Sequence, residues 1–158
     1  MVVMGKLTPA QVDEYFEKHL PYRTGILLAH YRMTRKPWTG DVSTLNACFV
    51  ASLVTGRLFL NVLGVGKEGG QLCPFRSRGD DVNAKDLGGK FIDLATLPQP
   101  DKVLFTGFLK MADKAAAHFT IPMTHDWSKT HEVILRIQYH LKVNLYDHTD
   151  RRFNDAMP

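Results

Sequence analysis

Residues 43–66, STLNACFVASLVTGRLFLNVLGVG, form the most apolar stretch of the chain and decide how the rest can fold. Two interpretations compete for the second half, RLFLNVLGV (57–65), because its β-branched and aromatic residues also favour a strand. We prefer one long buried helix, since the chain offers no second convincing strand to pair with it. One face of that helix would carry Phe49, Ser52, Leu53, Gly56, Leu60 and Leu63.

Apolar residues recur at helical spacing on both sides of this stretch. Thr8-Pro9 is a typical helix start, while Pro21, Pro37 and Pro122 are expected to end or kink helices. We therefore predict an all-α bundle of four to five helices, folded as one domain over residues 1–158. Besides the central helix, the predicted helices span residues 9–19, 22–35, 101–119 and 126–146.

Glycine is concentrated in one part of the chain. Seven of the 12 glycines fall within residues 64–90, which predicts one long Gly-rich loop, a feature that is often functional in a compact domain. DDVNAKDL (80–87) could form a short helix capped by Asp80 or Asp81. No GxxxxGK[ST] or GxGxxG motif follows a strand, so nucleotide-binding loops of those kinds are not predicted.

The overall composition is that of a globular protein, with 44% hydrophobic and 23% charged residues, and it argues against disorder. The N-terminus lacks the charged start and apolar run of a signal peptide. Arg57, with Asn46 and Asn61, argues against a bilayer span in the apolar stretch. We therefore expect a cytoplasmic protein without a membrane partner. Cys48 and Cys73 form neither a disulfide framework nor a CxxC pair.

Arg57 is the first candidate for a functional side chain, because it lies in the most apolar segment, where a charge needs a partner. We expect Asp80 or Asp81 to pair with it and to pin the long loop onto the bundle. An alternative is that Arg57 binds an anion in a cleft beneath the loop, since a guanidinium suits phosphate. The candidate binding residues are Arg57, Arg76, Arg78, Asp80 and Asp81.

Lys114 and His118 form the second candidate pair, four residues apart on one face of the fourth helix. His118 could act as a general acid or base, because the unperturbed pKa of histidine lies near neutrality, or it could be a core histidine. The candidate catalytic residues are therefore His118, Lys114, Arg57 and Asp81, and we expect Arg57, Asp81 and His118 to meet in space.

The seven histidines invite a metal interpretation. The spacing of His118, His125 and His131 matches neither HExxH nor another recognised ligand pattern, and a site needs several converging ligands. We therefore predict no metal and no cofactor.

Three segments together are familiar: FVASLVTGRLFLNVLG (49–64), RSRGDDVNAKDL (76–87), and KMADKAAAHFT (110–120) followed by Trp127. Over residues 45–140 the chain resembles an uncharacterised bacterial helical-bundle family that is similar in outline to HEPN-like bundles. The resemblance implies a helical fold more than a function, because that family has no named activity. Arg23 and His30 satisfy the R-x(4–6)-H pattern of HEPN RNases. Where that motif is expected, however, this chain has Lys114 with His118.

Three functions remain open. The first, which we rank highest, is a non-enzymatic helical interaction or binding module, with a homo-oligomer as one form of it. The second is a nucleic-acid-directed, HEPN-like protein, which the net charge of +4 favours only mildly. The third is a binder of a small anionic ligand, with its pocket between the long loop and the bundle.

Overall fold

The computed structural model describes residues 6–117 and 127–153, and most of them are helical. The prediction of an all-α bundle is confirmed, with a small two-stranded sheet as the one addition within those residues. The helices are α1 (Pro9–Glu14), α2 (Leu20–Met33), α3 (Val42–Val62), α4 (Gln99–Ala117) and α5 (Trp127–Leu141), and the strands are β1 (Val65–Glu68) and β2 (Gln71–Pro74).

The first two helices form one continuous run. Thr8 begins α1 with a capping box, in which its hydroxyl accepts from the Gln11 backbone and the Gln11 side chain accepts from the Thr8 backbone. Between α1 and α2 the chain makes a π-helical turn, Tyr15–His19, in which the Leu20 N–H donates to the Tyr15 carbonyl. The wider turn accommodates Pro21 in the first turn of α2, so the predicted break at Pro21 does not occur.

Helix α3 is the central element, and the preference for a helix in residues 57–62 is confirmed. It contacts α2, α4 and α5, and its inner face is buried. By length and composition alone α3 could cross a membrane, a test that the core helix of a soluble protein also passes. The predicted inner face is observed, since Phe49, Ser52, Leu53, Gly56, Leu60 and Leu63 are all buried.

The Gly-rich region is more ordered than predicted. Gly64 ends α3 with a φ of 83°, and a hairpin follows in which β1 pairs with β2 in antiparallel register. Gly69 and Gly70 both have positive φ, as a two-residue type I′ turn requires. The prediction of a loop over residues 64–90 is therefore wrong for residues 65–74, because the adjacent glycines serve as a hairpin turn.

The segment after β2 has no regular structure, yet its backbone is bonded to the bundle. The Phe75 N–H donates to the Gly64 carbonyl, the Ala84 N–H to Val62, and the Ile92 N–H to Leu63, at 2.9 Å in each case. Residues 80–87 form turns rather than the predicted short helix. Asn83 and Asp86 accept from each other's backbone N–H groups as in a capping box, but the helical turn ends at once because Gly88 has a φ of 81°.

Helices α4 and α5 complete the bundle and are joined by polar contacts. The Asp101 carboxylate, almost fully buried, lies 3.2 Å from His140 Nε2 and 3.6 Å from Arg136 Nε. The chain then continues through a π-helical turn, Lys142–Tyr146. Phe153 packs edge-on against Tyr146, so the chain after this turn contacts the core at least as far as Phe153.

A pair of histidines connects α2 and α5. His30 is fully buried, and its Nδ1 lies 3.0 Å from His131 Nε2. The His30 ring packs against Phe49, and the His131 ring packs edge-on against Tyr31. Burial, together with the neighbouring His131, lowers the pKa of His30 from its ordinary 6.5 to about 4. Burial also lowers the pKa of His131. Both rings are therefore neutral at pH 7.

The contact between α3 and α4 depends on a residue without a side chain. A Cβ on Gly56 would lie 2.4 Å from the Phe108 ring, whereas a Cβ on Gly107 would meet nothing within 4 Å. We expect Gly56→Ala to destabilise the fold by about 1–3 kcal/mol through overpacking. Gly107→Ala, the control, should stabilise it by up to about 1 kcal/mol through helix propensity. Urea unfolding gives the free energy of unfolding of the parent protein and of both variants. Equal changes in Gly56→Ala and Gly107→Ala would contradict the prediction.

The histidine pair predicts a pH dependence of stability. Because folding lowers the pKa of both His30 and His131, the unfolded chain binds more protons below pH 6.5. The free energy of unfolding should therefore fall as pH decreases from 6.5 towards 4, by at most about 1.4 kcal/mol per pH unit for each group. The measurement is the free energy of unfolding at several pH values, for the parent protein and for His30→Gln. An unchanged slope in the variant would contradict the assignment.

Candidate functional site

A cavity of about 420 Å³ lies on the outer side of α3. One wall comes from the π-helical turn and the start of α2, and the opposite wall comes from the segment after β2. This is the place, between the long loop and the bundle, where the sequence predicted a pocket. The lining residues include charged, amide, aromatic and aliphatic side chains, so the cavity suits a ligand with both polar and apolar parts.

The first wall is one face of the α1–α2 run. Tyr15, His19 and Arg23 are spaced four residues apart, so they follow one another along the helix surface. The Tyr15 and His19 rings contact each other with centroids 4.9 Å apart. Arg23 is exposed and makes no ion pair or hydrogen bond within the described ranges 6–117 and 127–153, which leaves its guanidinium available to a ligand.

The floor of the cavity is the outer face of α3. Val54 and Leu58 supply apolar surface, and Asn61 supplies a half-buried amide. Arg57 lies among them at the edge of α3. Phe49, Leu53 and Gly56 lie on the opposite, inward side of α3. One face of α3 therefore packs in the core, and the other lines the cavity.

Arg57 differs from its prediction in two respects. It is exposed, not buried, because the apolar character of its segment belongs to the inner face of α3. Its partner is Asp113 on α4, with Nη1 3.1 Å from Oδ1, and not Asp80 or Asp81. Lys67 of β1 shares the same carboxylate at 3.3 Å. Arg57 keeps further N–H donors for the cavity, since a guanidinium carries five.

The second wall contains Phe75, Ser77, Asp81 and Asn83 among others. The Asp81 carboxylate accepts from the Arg78 backbone N–H at 2.7 Å, and the Asp81 carbonyl accepts from the Lys6 ammonium. Asp81 therefore shapes the turn that forms the wall.

The other predicted binding residues on this segment do not line the cavity. The side chains of Arg76, Arg78 and Asp80 are exposed and lie outside it.

The predicted catalytic group is only partly within the described chain. Arg57 and Asp81 line the same cavity, whereas His118 and His125 lie outside the described residues. Lys114 is exposed on α4 and does not line the cavity. Arg23 and His30 lie two turns apart on α2, about 10 Å along its axis, with Arg23 at the cavity and His30 in the core.

The sequence interpretation missed Tyr15, His19 and Asn61 as cavity residues, and it named Arg23 only for its spacing to His30. A usable signal existed for the first wall, namely a tyrosine, a histidine and an arginine at four-residue intervals, which follow one another along one helix surface. No local signal identified Asn61, because its position at the cavity depends on where the segment after β2 returns to α3.

Comparison of the chain with protein-family models, with curated proteins and with solved structures found no match.

Proposed function

We propose that this protein is a non-enzymatic binding module that holds a small anionic ligand in the cavity between α3 and the segment after β2. The observation that carries the proposal is the pair of arginines that line the cavity from two helices, Arg23 on the α2 wall and Arg57 on the α3 floor. Guanidinium groups bind carboxylate and phosphate oxygens through paired N–H donors, and two of them around one cavity favour such a group over a neutral one.

The charges around the cavity favour an anion. Arg23 and Arg57 contribute two positive charges and Asp81 one negative charge, so the guanidinium groups outnumber the carboxylate. The Asp81 carboxylate already accepts a backbone N–H, and Asp113 occupies only part of the Arg57 guanidinium. Of the two arginines, Arg23 has no ion pair among residues 6–117 and 127–153 that would have to break before it binds.

The size of the cavity and its other lining residues indicate what the rest of the ligand looks like. A cavity of about 420 Å³ is within the usual size of small-molecule sites. Val54, Leu58 and Phe75 offer apolar contact, and Asn61 offers an amide that can donate or accept. We therefore expect an organic anion whose body contacts these side chains while its charged group lies between the two arginines.

The lining residues that the structure describes favour ligand binding over catalysis. The hydroxyls on the cavity walls belong to Tyr15 and Ser77, and within residues 6–117 and 127–153 neither is hydrogen-bonded to a histidine or a carboxylate. A hydroxyl nucleophile is commonly activated by such a neighbouring base.

The test uses phenyl phosphate as a probe, with phenol as its uncharged counterpart, in isothermal titration at low salt. We expect the parent protein to bind phenyl phosphate and not phenol. Arg23→Gln and Arg57→Gln should each weaken binding by about tenfold or more, the usual effect of losing a hydrogen bond to a charged group. Arg152→Gln, which removes an exposed arginine far along the sequence from the cavity residues, is the matched control and should bind like the parent.

Equal weakening in all three variants would mean that the probe responds to net charge alone, and it would overturn the proposed site. Failure of the parent protein to bind either probe would overturn it as well. Each variant should first be compared with the parent by circular dichroism, since Arg57 also forms an ion pair with Asp113.

A further inference from the structure

Anion binding alone does not explain three of the polar side chains in the cavity. Asp81 lines it with a carboxylate, which repels an anion, and Asn61 and Asn83 line it with amides. All three residues are half-buried, and the Asn61 amide makes no hydrogen bond within the described ranges 6–117 and 127–153. Because half-buried polar groups need partners, this set indicates a ligand that carries hydrogen-bonding groups beside its anionic one.

The register of α2 against α3 shows where the first arginine lies. The Ser52 hydroxyl donates to the Ile26 carbonyl at 3.2 Å, and the His30 ring contacts the Phe49 ring. These two contacts fit only helices that run antiparallel. Continued towards the cavity, the same register places Arg23 level with the turn of α3 on which the second arginine lies.

The two amides lie together at the other end of the cavity. Asn61 follows Arg57 by four residues on α3, so about 6 Å separates them along the helix axis. The Ala84 N–H donates to the Val62 carbonyl at 2.9 Å, which brings Asn83 to the same end as Asn61. The cavity therefore has a cationic end and, one helical turn away, an end with two amides.

Backbone hydrogen bonds determine what each polar side chain can still offer a ligand. Asn83 Oδ1 already accepts from two backbone N–H groups, so its NH₂ group remains as a donor. Asp81 Oδ2 accepts from the Arg78 N–H, and Oδ1 remains as an acceptor in the part of the chain described. Asn61 can both donate and accept. Hydroxyl groups match this set, because each of them also donates and accepts.

An ammonium group on the ligand would also suit a carboxylate, but the charge beside Asp81 disfavours it. The Lys6 ammonium already donates to the Asp81 carbonyl. A second ammonium at this place would be repelled by Lys6, whereas a neutral hydroxyl would not. The donor that fits Asp81 is therefore a hydroxyl.

We propose that the ligand of this cavity is a sugar phosphate, an inference that rests on the anion site proposed above. Its phosphate lies between Arg23 and Arg57, and its hydroxyls bond to Asp81, Asn61 and Asn83. The C–H face of the sugar packs against the aromatic lining, because the face of an aromatic ring carries partial negative charge and attracts C–H groups.

The experiment is isothermal titration with glucose 6-phosphate, ribose 5-phosphate and cyclohexylmethyl phosphate, which has a six-membered ring without hydroxyls. We expect at least one sugar phosphate to bind about tenfold or more tightly than cyclohexylmethyl phosphate, which lacks the hydrogen bonds of the hydroxyls. Asn61→Leu should remove most of this preference and leave the affinity for cyclohexylmethyl phosphate unchanged. Asn46→Leu, which replaces an exposed asparagine of α3 outside the cavity, is the matched control and should keep the preference.

Asp81→Asn separates hydroxyl recognition from a structural role. The variant keeps a side-chain oxygen for the Arg78 N–H, so the turn is preserved. Because it removes a negative charge, it should bind cyclohexylmethyl phosphate more tightly than the parent protein does. Its preference for the sugar phosphate should fall, since the carboxylate no longer accepts from a hydroxyl. A purely structural role would change both affinities in the same direction, and that result would overturn the assignment of Asp81.

Equal affinity of the parent protein for all three compounds would overturn the sugar phosphate and leave the anion site in place. Tighter binding of phosphoethanolamine than of either sugar phosphate would indicate an ammonium-bearing ligand and would also overturn it. If no phosphate compound binds, phenyl phosphate included, the anion site falls as well. Equal weakening of all three compounds by Asn61→Leu, in a variant with the circular dichroism of the parent protein, would show that Asn61 does not recognise hydroxyls.

Discussion

The close approach of α3 and α4 at Gly56 sets the arrangement of the whole bundle. The Phe108 ring fills the space where a side chain on Gly56 would lie, so the two helices meet in one register. Arg57, the next residue, then lies at the edge of the contact, and Asp113, five residues beyond Phe108, comes within 3.1 Å of it. One packing contact in the core thus fixes the position of a charged group at the surface.

The same helix forms the floor of the candidate site. With its inner face against α2, α4 and α5, α3 has an outer face on which Val54, Leu58 and Asn61 remain accessible. The segment after β2 returns across this face because its backbone bonds to the carbonyls of Val62, Leu63 and Gly64. The cavity is therefore a consequence of how the chain leaves α3 and is held there.

Much of the fold could be predicted from the sequence because helices are encoded locally. The periodicity of the inner face of α3, the Thr8-Pro9 start and the apolar stripes of α4 and α5 each specified an element that is observed. The hairpin was missed because four-residue strands carry little pattern, and the Gly69-Gly70 turn was interpreted as loop.

The site was harder to predict than the fold, because it depends on contacts between distant segments. Arg57 was expected to pair with a carboxylate nearby in sequence, and its partner on α4 lies 56 residues away. The pairing of His30 with His131, 101 residues apart, likewise had no local signal. Arg23, in contrast, belonged to a regular series with Tyr15 and His19, which periodicity alone could have grouped.

The central claim is that arginines from two separate helices form one anion site. It is tested most directly by following the side-chain Nε–H resonances of all arginines by NMR during a titration with phenyl phosphate. The claim predicts that the signals of Arg23 and Arg57 shift together with one dissociation constant, while those of the exposed Arg35 and Arg152 stay in place. Shifts confined to Arg35 and Arg152, or different dissociation constants for Arg23 and Arg57, would contradict it.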